Sequence, residues 1–346
     1  MNKKILFAAV GAALAVAPMI SAQAEVKVGG LAHVSLDSLD RGTASDTGSL
    51  HLSNNSSNIN IGASEDLGGG MKAIAKWETL VNYDAASAIQ NSTTTSSVGG
   101  LRDAYVGLKG GFGTVRMGHF NDPVKVVGRS VDLFYSQQLG ESRAIVRQTN
   151  WDERMANSIG YDSNDMGGLS FRVQYGVEDS FTTDATTLAF SASYKAGPLY
   201  LAVGHKSIDL TATTDTTALR FAGSYTMGDI KFVGFYQQVS DAGGVSGADR
   251  DTMGFGVAFK AGNNTFKAQW YKADELDTSA NTGATQTSIG IDHSLSKNTI
   301  IYATYASISN DTAATFGVGG NGHGASATPA AGVDSSGLSF GMRMKF

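Results

Sequence analysis

Apolar and polar residues alternate along much of the chain, in segments of about ten residues. In residues 338–346 the even positions are apolar and the odd positions are small or charged, and 169–177 and 253–259 show the same alternation with the odd positions apolar. Successive side chains of a β-strand point to opposite faces. The pattern therefore predicts strands that each have one apolar face and one small or polar face, with the length of a membrane-crossing strand.

Turns rich in glycine and asparagine separate these segments and alternate with longer polar loops, as expected for hairpins. Short turns are typical of the periplasmic side of a transmembrane barrel and long loops of its extracellular side. The pattern predicts one domain of sixteen antiparallel strands, near 26–36, 52–65, 71–82, 101–109, 113–120, 157–163, 168–178, 187–195, 198–207, 218–226, 229–239, 252–260, 264–273, 286–294, 298–308 and 337–346.

Alternation alone does not distinguish a soluble sandwich, whose apolar faces meet, from a barrel whose apolar face meets lipid. Three features favour the barrel: an export signal, the regular exchange of short turns and long loops, and the aromatic Phe346 closing the last alternating segment. A sixteen-stranded barrel is too wide for its side chains to fill, so we expect a water-filled lumen.

The first residues resemble a secretory signal peptide. Lys3 and Lys4 precede an apolar stretch, and Ala22 and Ala24 supply a small-x-small cleavage pattern. We predict a signal peptide at 1–24 and a barrel domain at 25–346. Removing the two lysines leaves 24 basic and 31 acidic residues, a net charge of −7, which argues against nucleic-acid binding.

Enzyme, metal and cofactor signatures are weak. The chain has no cysteine, and its six histidines lie on separate segments without metal-ligand spacing. The glycine-rich stretch 317–324 lacks the strand and helix of a phosphate-binding loop, and no serine, histidine and aspartate form a recognisable triad. We therefore expect no catalysis, no cofactor and no metal. Aromatic residues near segment ends predict girdles at the membrane interfaces, namely Tyr83, Tyr175, Tyr194, Tyr200, Tyr225, Tyr236, Trp270 and Tyr271.

Several motifs carry a family resemblance. They are EDLGGGMKA at 65–73 with Trp77 and Glu78, RDAYVGLK at 102–109, FGTVRMG at 112–118, NSIGYDS at 157–163 and the terminal Phe346. Together they resemble the general porins of Gram-negative bacteria over nearly the whole mature chain. The resemblance implies a homotrimeric outer-membrane channel whose third loop folds into the lumen. It also implies contacts with outer-membrane lipids and lipopolysaccharide, and recognition of the C-terminal strand, ending in Phe346, by the barrel-assembly machinery.

The resemblance further implies a constriction between an acidic third loop and a basic barrel wall. By this resemblance Arg102 and Arg154 occupy wall arginine positions, whereas Asn58 and His119 replace two other basic residues. Lys72 and Lys76 share the polar face of the third strand and compensate for them, and Arg116 falls on the predicted lumen face of its own strand. Residues 121–157 form the longest stretch without strand pattern in the first half of the chain.

On this basis we expect Arg102, Arg154 and Lys76 to face Asp122, Asp132 and Glu141 across the narrowest point. Such charges select ions by interactions weak enough for a solute both to enter and to leave. The alternative is that some of these charges pair locally and anchor the loop.

The function expected from these observations is passive diffusion of ions and small hydrophilic solutes. Two alternatives on the same barrel are a channel selective for a sugar or organic-acid class, and a loop-mediated adhesin or phage receptor. A barrel enzyme is disfavoured by the strand number.

Overall fold

The computed structural model describes residues 24–42, 49–84, 100–135, 137–147, 151–177, 186–209, 214–320 and 322–346. The predicted signal peptide lies outside the described residues, apart from Ala24. The elements, in chain order, are β1 Glu25–Asp40, β2 Ser49–Asn54, β3 Asn58–Gly68, β4 Met71–Leu80, β5 Leu101–Gly110, β6 Gly113–Asn121, α1 Pro123–Arg129, α2 Arg143–Val146, β7 Arg154–Asp162, β8 Leu169–Val177, β9 Thr186–Ala196, β10 Leu199–Asp209, β11 Asp215–Met227, β12 Ile230–Ser240, a 3₁₀ turn Ala242–Gly244, β13 Arg250–Ala261, β14 Asn264–Ala273, β15 Ala284–Ser294, β16 Thr299–Asn310, β17 Val318–Gly319, β18 Ser326–Ala327 and β19 Ser335–Lys345.

The long strands form one closed antiparallel sheet. Each pairs with its neighbours in sequence, and β1 pairs with β19, where Leu36 lies opposite Phe340. Both β2 and β3 pair with β1, so they form a single barrel strand interrupted at residues 55–57, where Ser56 has φ 54°. Counted this way the barrel has sixteen strands, which confirms the predicted fold class. The hairpin of β17 and β18 is separate and was not predicted.

The exposed face of the sheet is apolar and the covered face is polar. On β13, Met253 and Phe255 are 43% and 61% exposed, whereas Arg250 and Thr252 are buried. Moving a side chain of this size out of water stabilises by about 1.5–3 kcal/mol, so an outer surface of such residues requires lipid around it. This arrangement confirms that apolar side chains face outward and polar ones inward.

Two aromatic residues depart from the predicted girdles. Tyr194 and Tyr225 are exposed on the outer face, but Tyr271 is 1% exposed, and its ring lies 5.5 Å from that of Phe235. Tyr200 also packs against the internal apolar cluster. Trp270 and Tyr271 are consecutive residues of β14, so they point to opposite faces and cannot both contact lipid.

Short turns join the strands at one end of the barrel, as predicted. Between β9 and β10, and between β11 and β12, the turns contain Gly197 and Gly228 with φ 53° and 58°, a conformation that glycine adopts without a steric penalty. Longer connections lie at the other end. We call residues 122–153 the third loop and residues 311–334 the eighth loop, by their order at that end.

The third loop contains the two short helices. Helix α1 packs against β9, β10 and β11, and α2 packs against β14 and β15. Among the described residues, no helix is both long and apolar enough to cross a membrane. The helices therefore serve to place the third loop against the barrel strands.

Candidate functional site

Two consecutive residues of β5 point to the polar face because the strand pairing is irregular there. Trp77 lies opposite Ala104 and Thr79 lies opposite Leu101, so Arg102 and Asp103 together oppose one residue, Glu78. A β-bulge of this kind re-aims side chains relative to strict alternation. The family resemblance placed Arg102 on the wall but did not include Asp103, because strand alternation alone does not reveal a bulge.

The bulge builds a compact ion-pair cluster on β4, β5 and β7, which we call the wall cluster (Lys76, Glu78, Arg102, Asp103 and Arg154). Lys76 Nζ lies 2.7 Å from Glu78 Oε2 and 3.3 Å from Asp103 Oδ2. Arg102 bonds Glu78 through Nε, and Arg154 Nε lies 2.6 Å from Asp103 Oδ1. Three cations and two carboxylates leave one formal positive charge, with side chains 9–26% exposed.

A second irregularity positions Arg154. Between β6 and β7 the pairing shifts, so that Gly118 opposes Ser158 while Asn121 opposes Arg154. Asn157 lies within the shifted stretch with φ 46°. Asn121 Nδ2 also donates to Asp103 Oδ1 at 3.2 Å, which ties the end of β6 to the wall cluster.

Asp122, at the start of the third loop, performs two structural tasks. Its Oδ1 accepts from the backbone N–H of Lys125 at 2.8 Å and caps α1, which begins with Pro123. Its Oδ2 accepts from Lys206 Nζ of β10 at 3.0 Å, in a pair that is almost fully buried. Asp122 therefore anchors the start of the third loop to β10.

Asp132 closes a turn within the third loop. Its Oδ2 accepts from the N–H and the hydroxyl of Ser142 at 2.8 and 2.7 Å, and its Oδ1 accepts from the Phe134 N–H at 2.9 Å and from Gln269 Nε2 at 3.1 Å. Burial nevertheless raises the pKa of this carboxyl. All four of these hydrogen bonds to the Asp132 carboxylate come from the third loop or from β14.

Glu141 is buried with one carboxylate oxygen poorly satisfied. Oε2 accepts from the Gln137 N–H, whereas Oε1 lacks a hydrogen bond and lies 4.0 Å from Arg143 Nε. Burial raises the pKa of Glu141 to about 7, against the opposing effect of Arg143 and Arg129. The loop is therefore sensitive to the protonation of this group.

The sequence analysis did not identify a buried ion-pair group formed by Asp152, Arg220 and Arg143. Asp152 Oδ1 lies 2.7 Å from Arg220 Nη1, and its Oδ2 lies 3.3 Å from Arg143 Nε. The two arginines, despite the desolvation that opposes them, hold the pKa of Asp152 well below its usual range. Arg220 also donates to the Val124 carbonyl at 3.0 Å, so one β11 side chain binds both ends of the loop. The signal in the sequence for Arg220 was its position on the inward-facing side of the alternating strand β11.

A row of inward-facing glutamines binds the backbone of the third loop. Gln269 Nε2 donates to the Gly140 carbonyl at 2.9 Å, Gln286 Nε2 to the same carbonyl at 3.1 Å, and Gln237 Nε2 to the Val146 carbonyl at 3.2 Å. These residues lie on β14, β15 and β12. Long amides satisfy loop backbone groups that water would otherwise bind.

The third loop also forms an apolar core with the inner face of the barrel. Val127, Leu139 and Ile145 of the loop are buried in one cluster with Val233 and Phe235 of β12. The signal was present in the sequence, because this loop contains many more apolar residues than a solvated loop needs.

The remaining predicted site residues lie apart from the wall cluster. Arg116 Nη2 pairs with Asp162 Oδ2 at 2.5 Å, and its guanidinium lies 4.4 Å from the Phe120 ring centre. Lys72 is exposed on β4, near the short-turn end. Phe346 exchanges backbone hydrogen bonds with Gly30, where a Cβ would lie 2.4 Å from the Phe346 ring.

The structure brings Arg102, Arg154 and Lys76 together in the wall cluster. They meet around Glu78 and Asp103, while Asp122 pairs with Lys206 and Asp132 binds β14. Within the described ranges, no three histidine, aspartate or glutamate side chains group as metal ligands would.

A family model described as Gram-negative porin matches residues 8–313. The major outer membrane proteins P.IB of Neisseria gonorrhoeae and Neisseria lactamica are 30% and 31% identical to the chain over 196 residues. Those alignments cover 56% of this chain and 53% and 55% of the relatives, so the chain spans about half the length of the curated relatives it matches.

Solved structures agree on the fold. An anion-selective porin from Comamonas acidovorans superposes with a TM-score of 0.79 at 23% identity, covering 94% of this chain and all of the other. The trimer form of in-vitro folded OmpT from Vibrio cholerae has a TM-score of 0.69 at 16% identity, covering 93% of this chain and 99% of the other. The family match, the closed barrel and its lipid-facing surface lead to one conclusion: the chain belongs to the Gram-negative porins and its barrel lies in the outer membrane.

Proposed function

We propose that the chain is a passive, non-catalytic channel through which ions and small hydrophilic solutes cross the outer membrane. The observation that carries this proposal is the inverted surface of the barrel. An apolar outside holds the barrel in lipid, while Lys76, Arg102 and their partners make the inside a polar path.

The third loop narrows that path. Its contacts with β9 to β15, through Lys206, Arg220, Gln269 and Gln286, all involve the covered polar face of the sheet. This supports a position inside the lumen, against one wall. The passage then runs between the loop and the wall cluster, whose side chains remain partly exposed.

We further propose that the narrow region favours anions. The wall cluster carries one surplus positive charge, and the predicted loop acids Asp122 and Asp132 are occupied by loop and wall donors. Arg129 and Arg343 both contact Tyr135 at the loop, the first over its ring and the second at its carbonyl. The structural neighbour from Comamonas acidovorans is an anion-selective porin, which points the same way.

Liposome swelling tests the channel proposal. Proteoliposomes are diluted into isotonic sugars of increasing size, and the initial swelling rate is measured. A rate that falls smoothly with solute size supports general diffusion. Swelling for one solute far above its size class supports a selective channel instead, and no swelling for any solute overturns both.

Planar-bilayer recordings test the assignment of the constriction. Arg102→Ala and Arg154→Ala each remove the surplus positive charge of the wall cluster, so we expect the reversal potential in a salt gradient to shift toward cations. Lys272→Ala is the control, because Lys272 pairs with Asp274 on an exposed site outside the cluster. Unchanged selectivity and conductance in both arginine variants would contradict the assignment.

We propose a homotrimer as the working assembly, with outer-membrane lipids and lipopolysaccharide around it. A trimer form among the structural neighbours supports this. Phe346 is proposed as the assembly signature, and Phe346→Ala is expected to reduce the amount of folded barrel recovered from outer membranes. Normal recovery, measured by heat-modifiable gel mobility, would contradict that role.

A further inference from the structure

The eighth loop is folded against the interior of the barrel. Val318 and Ala327, on β17 and β18, are buried in the same apolar cluster as Leu39 of β1, Leu139 of the third loop and Ile308 of β16. The two strands of this small hairpin pair through Val318 and Ala327. The eighth loop therefore shares an apolar contact with the third loop.

His323, in the turn of this hairpin, joins three parts of the molecule. Its Nδ1 lies 2.8 Å from the carbonyl oxygen of Gln137 in the third loop, and its Nε2 lies 2.8 Å from Asp37 Oδ2 on β1. The side chains of His323 and Asp37 are 2% and 0% exposed. One imidazole ring thus connects both loops to the barrel wall.

The chemistry of the two partners determines the protonation state of this ring. A backbone carbonyl and an ionised carboxylate can only accept hydrogen bonds. A neutral imidazole carries one N–H and one bare nitrogen, so it can bond only one of them, whereas the imidazolium bonds both. Both ring nitrogens lie 2.8 Å from an acceptor oxygen, an arrangement in which only a doubly protonated ring donates two hydrogen bonds.

The surrounding strand is shaped to receive the hairpin. Ser56 Oγ donates to the Gly322 carbonyl at 2.8 Å, and the Gly324 N–H donates to Asn55 Oδ1 at 3.0 Å. Both barrel residues belong to the 55–57 interruption between β2 and β3. This accounts for the break in an otherwise continuous strand.

Other charged or titratable groups lie around His323. From β1, His33 bonds Tyr302 of β16, and from β2, His51 pairs in register with Asp37. From β19, Arg343 opposes His33 in register, and from the third loop Glu141 bonds the N–H of Gln137. Of these groups and Asp37, Asp37 is the one in direct contact with the ring.

We propose that His323 is a protonation-dependent latch that holds the eighth loop against the third loop and β1. With both nitrogens protonated the latch is closed and the loops narrow the path together. When the pH rises and one proton leaves to solvent, one of the two contacts is lost. The hairpin loosens from the barrel, and the path near Gln137 widens or fluctuates.

Hydrogen exchange of the 318–327 amides, corrected for intrinsic rates, tests the latch directly in detergent-solubilised protein. We expect exchange on the order of tenfold faster at pH 8.5 than at pH 5.5, because a hydrogen bond to a charged group is lost. His323→Ala should exchange at the faster rate at both pH values. Asp37→Asn, which removes the charge but keeps the size, should also lose the difference.

The matched control is His293→Ala. His293 bonds Asn264 at 2.7 Å in a different hairpin, so the pH effect on 318–327 should persist there as in the unaltered protein. His33, His51 and Glu141 remain in His323→Ala, so a pH effect surviving in that variant would belong to one of them and would overturn the proposal. Equal exchange at both pH values in the unaltered protein would also overturn it.

Single-channel recording supplies the functional readout. Open-channel noise or conductance should increase from pH 5.5 to 8.5 in the unaltered protein, and His323→Ala should show the high-pH behaviour throughout. Exchange is measured without reference to conduction, so loss of the latch and loss of channel function are distinguishable. A conductance that does not change with pH would overturn the gating role even if exchange changes.

Discussion

The two walls of the barrel use the same residue types for different purposes. On the wall covered by the third loop, Lys206 and Arg220 are 5% and 0% exposed and bind loop carboxylates. On the opposite wall, Lys76 and Arg102 are 26% and 14% exposed and pair with wall carboxylates. The first set holds a loop in place, and we propose that the second borders the solute path. On this proposal, a cation on the covered face serves structure or transport according to what covers it.

The largest expected effect separates the two walls through a buried charge. Arg220→Ala leaves Asp152 buried without its closest cation, which costs about 3–5 kcal/mol of local stability. We expect faster hydrogen exchange in 123–129 and a higher single-channel conductance, because the loop detaches from the wall. The double variant Arg220→Met with Asp152→Asn should recover much of the exchange protection. Unchanged exchange in Arg220→Ala would show that the pair does not hold the loop.

Phenylalanine occurs on both the inner and the outer face of the barrel, but in different surroundings. Phe235 is buried under the third loop and Phe255 is 61% exposed on the outer face. Phe235→Ala opens a cavity and should lower loop stability by about 3 kcal/mol, whereas Phe255→Ala should leave the loop unaffected. Exchange of the 137–147 amides measures both. Similar effects for the two variants would contradict an internal core.

The covered wall should also respond to pH through Glu141. Its pKa is raised to about 7, so loop stability is fully present below pH 4.5 and is lost as the pH rises toward 7. Lys125, whose pKa burial lowers to about 6, acts in the opposite sense only above that pH. Between pH 4.5 and 6 the loop should therefore lose about 2 kcal/mol, seen as faster exchange at 137–147. Glu141→Gln should abolish this dependence, and its persistence there would contradict the assignment.

A substitution in the wall cluster should have the smallest effect on stability and a clear effect on transport. Asp103→Asn removes one of two carboxylates from three cations, so stability should change by no more than about 1 kcal/mol. The reversal potential should shift further toward anions, because the surplus positive charge increases. The opposite sign of shift would show that the cluster does not line the path.

Much of the fold could be predicted from local pattern. Alternating segments such as 253–259 identify strands because every second side chain faces lipid. Arg102 and Arg154 were assigned to one wall by the family resemblance and both lie in the wall cluster, whereas Asp103 was missed because a bulge is a property of two paired strands. Tyr271 was misplaced for a related reason, since its position was assessed by distance from a strand end rather than by face.

The barrel residues that pair with the third loop could not be predicted from local sequence patterns. Asp122 and Lys206 are 84 residues apart, and Asp152 and Arg220 are 68 apart. Nothing in either segment specifies such a pair.

The sequence alone was enough to predict a sixteen-stranded barrel with its apolar side outward. The strand period sets which residues share a face and the membrane thickness sets the strand length, and both can be read from consecutive residues. Closure of the barrel decided the remaining features. These are the charges proposed to border the path, the charges that anchor a loop and the ring that bridges two loops. Closure brings distant residues within hydrogen-bond range and removes some of them from water, and both effects arise only when the whole chain is folded.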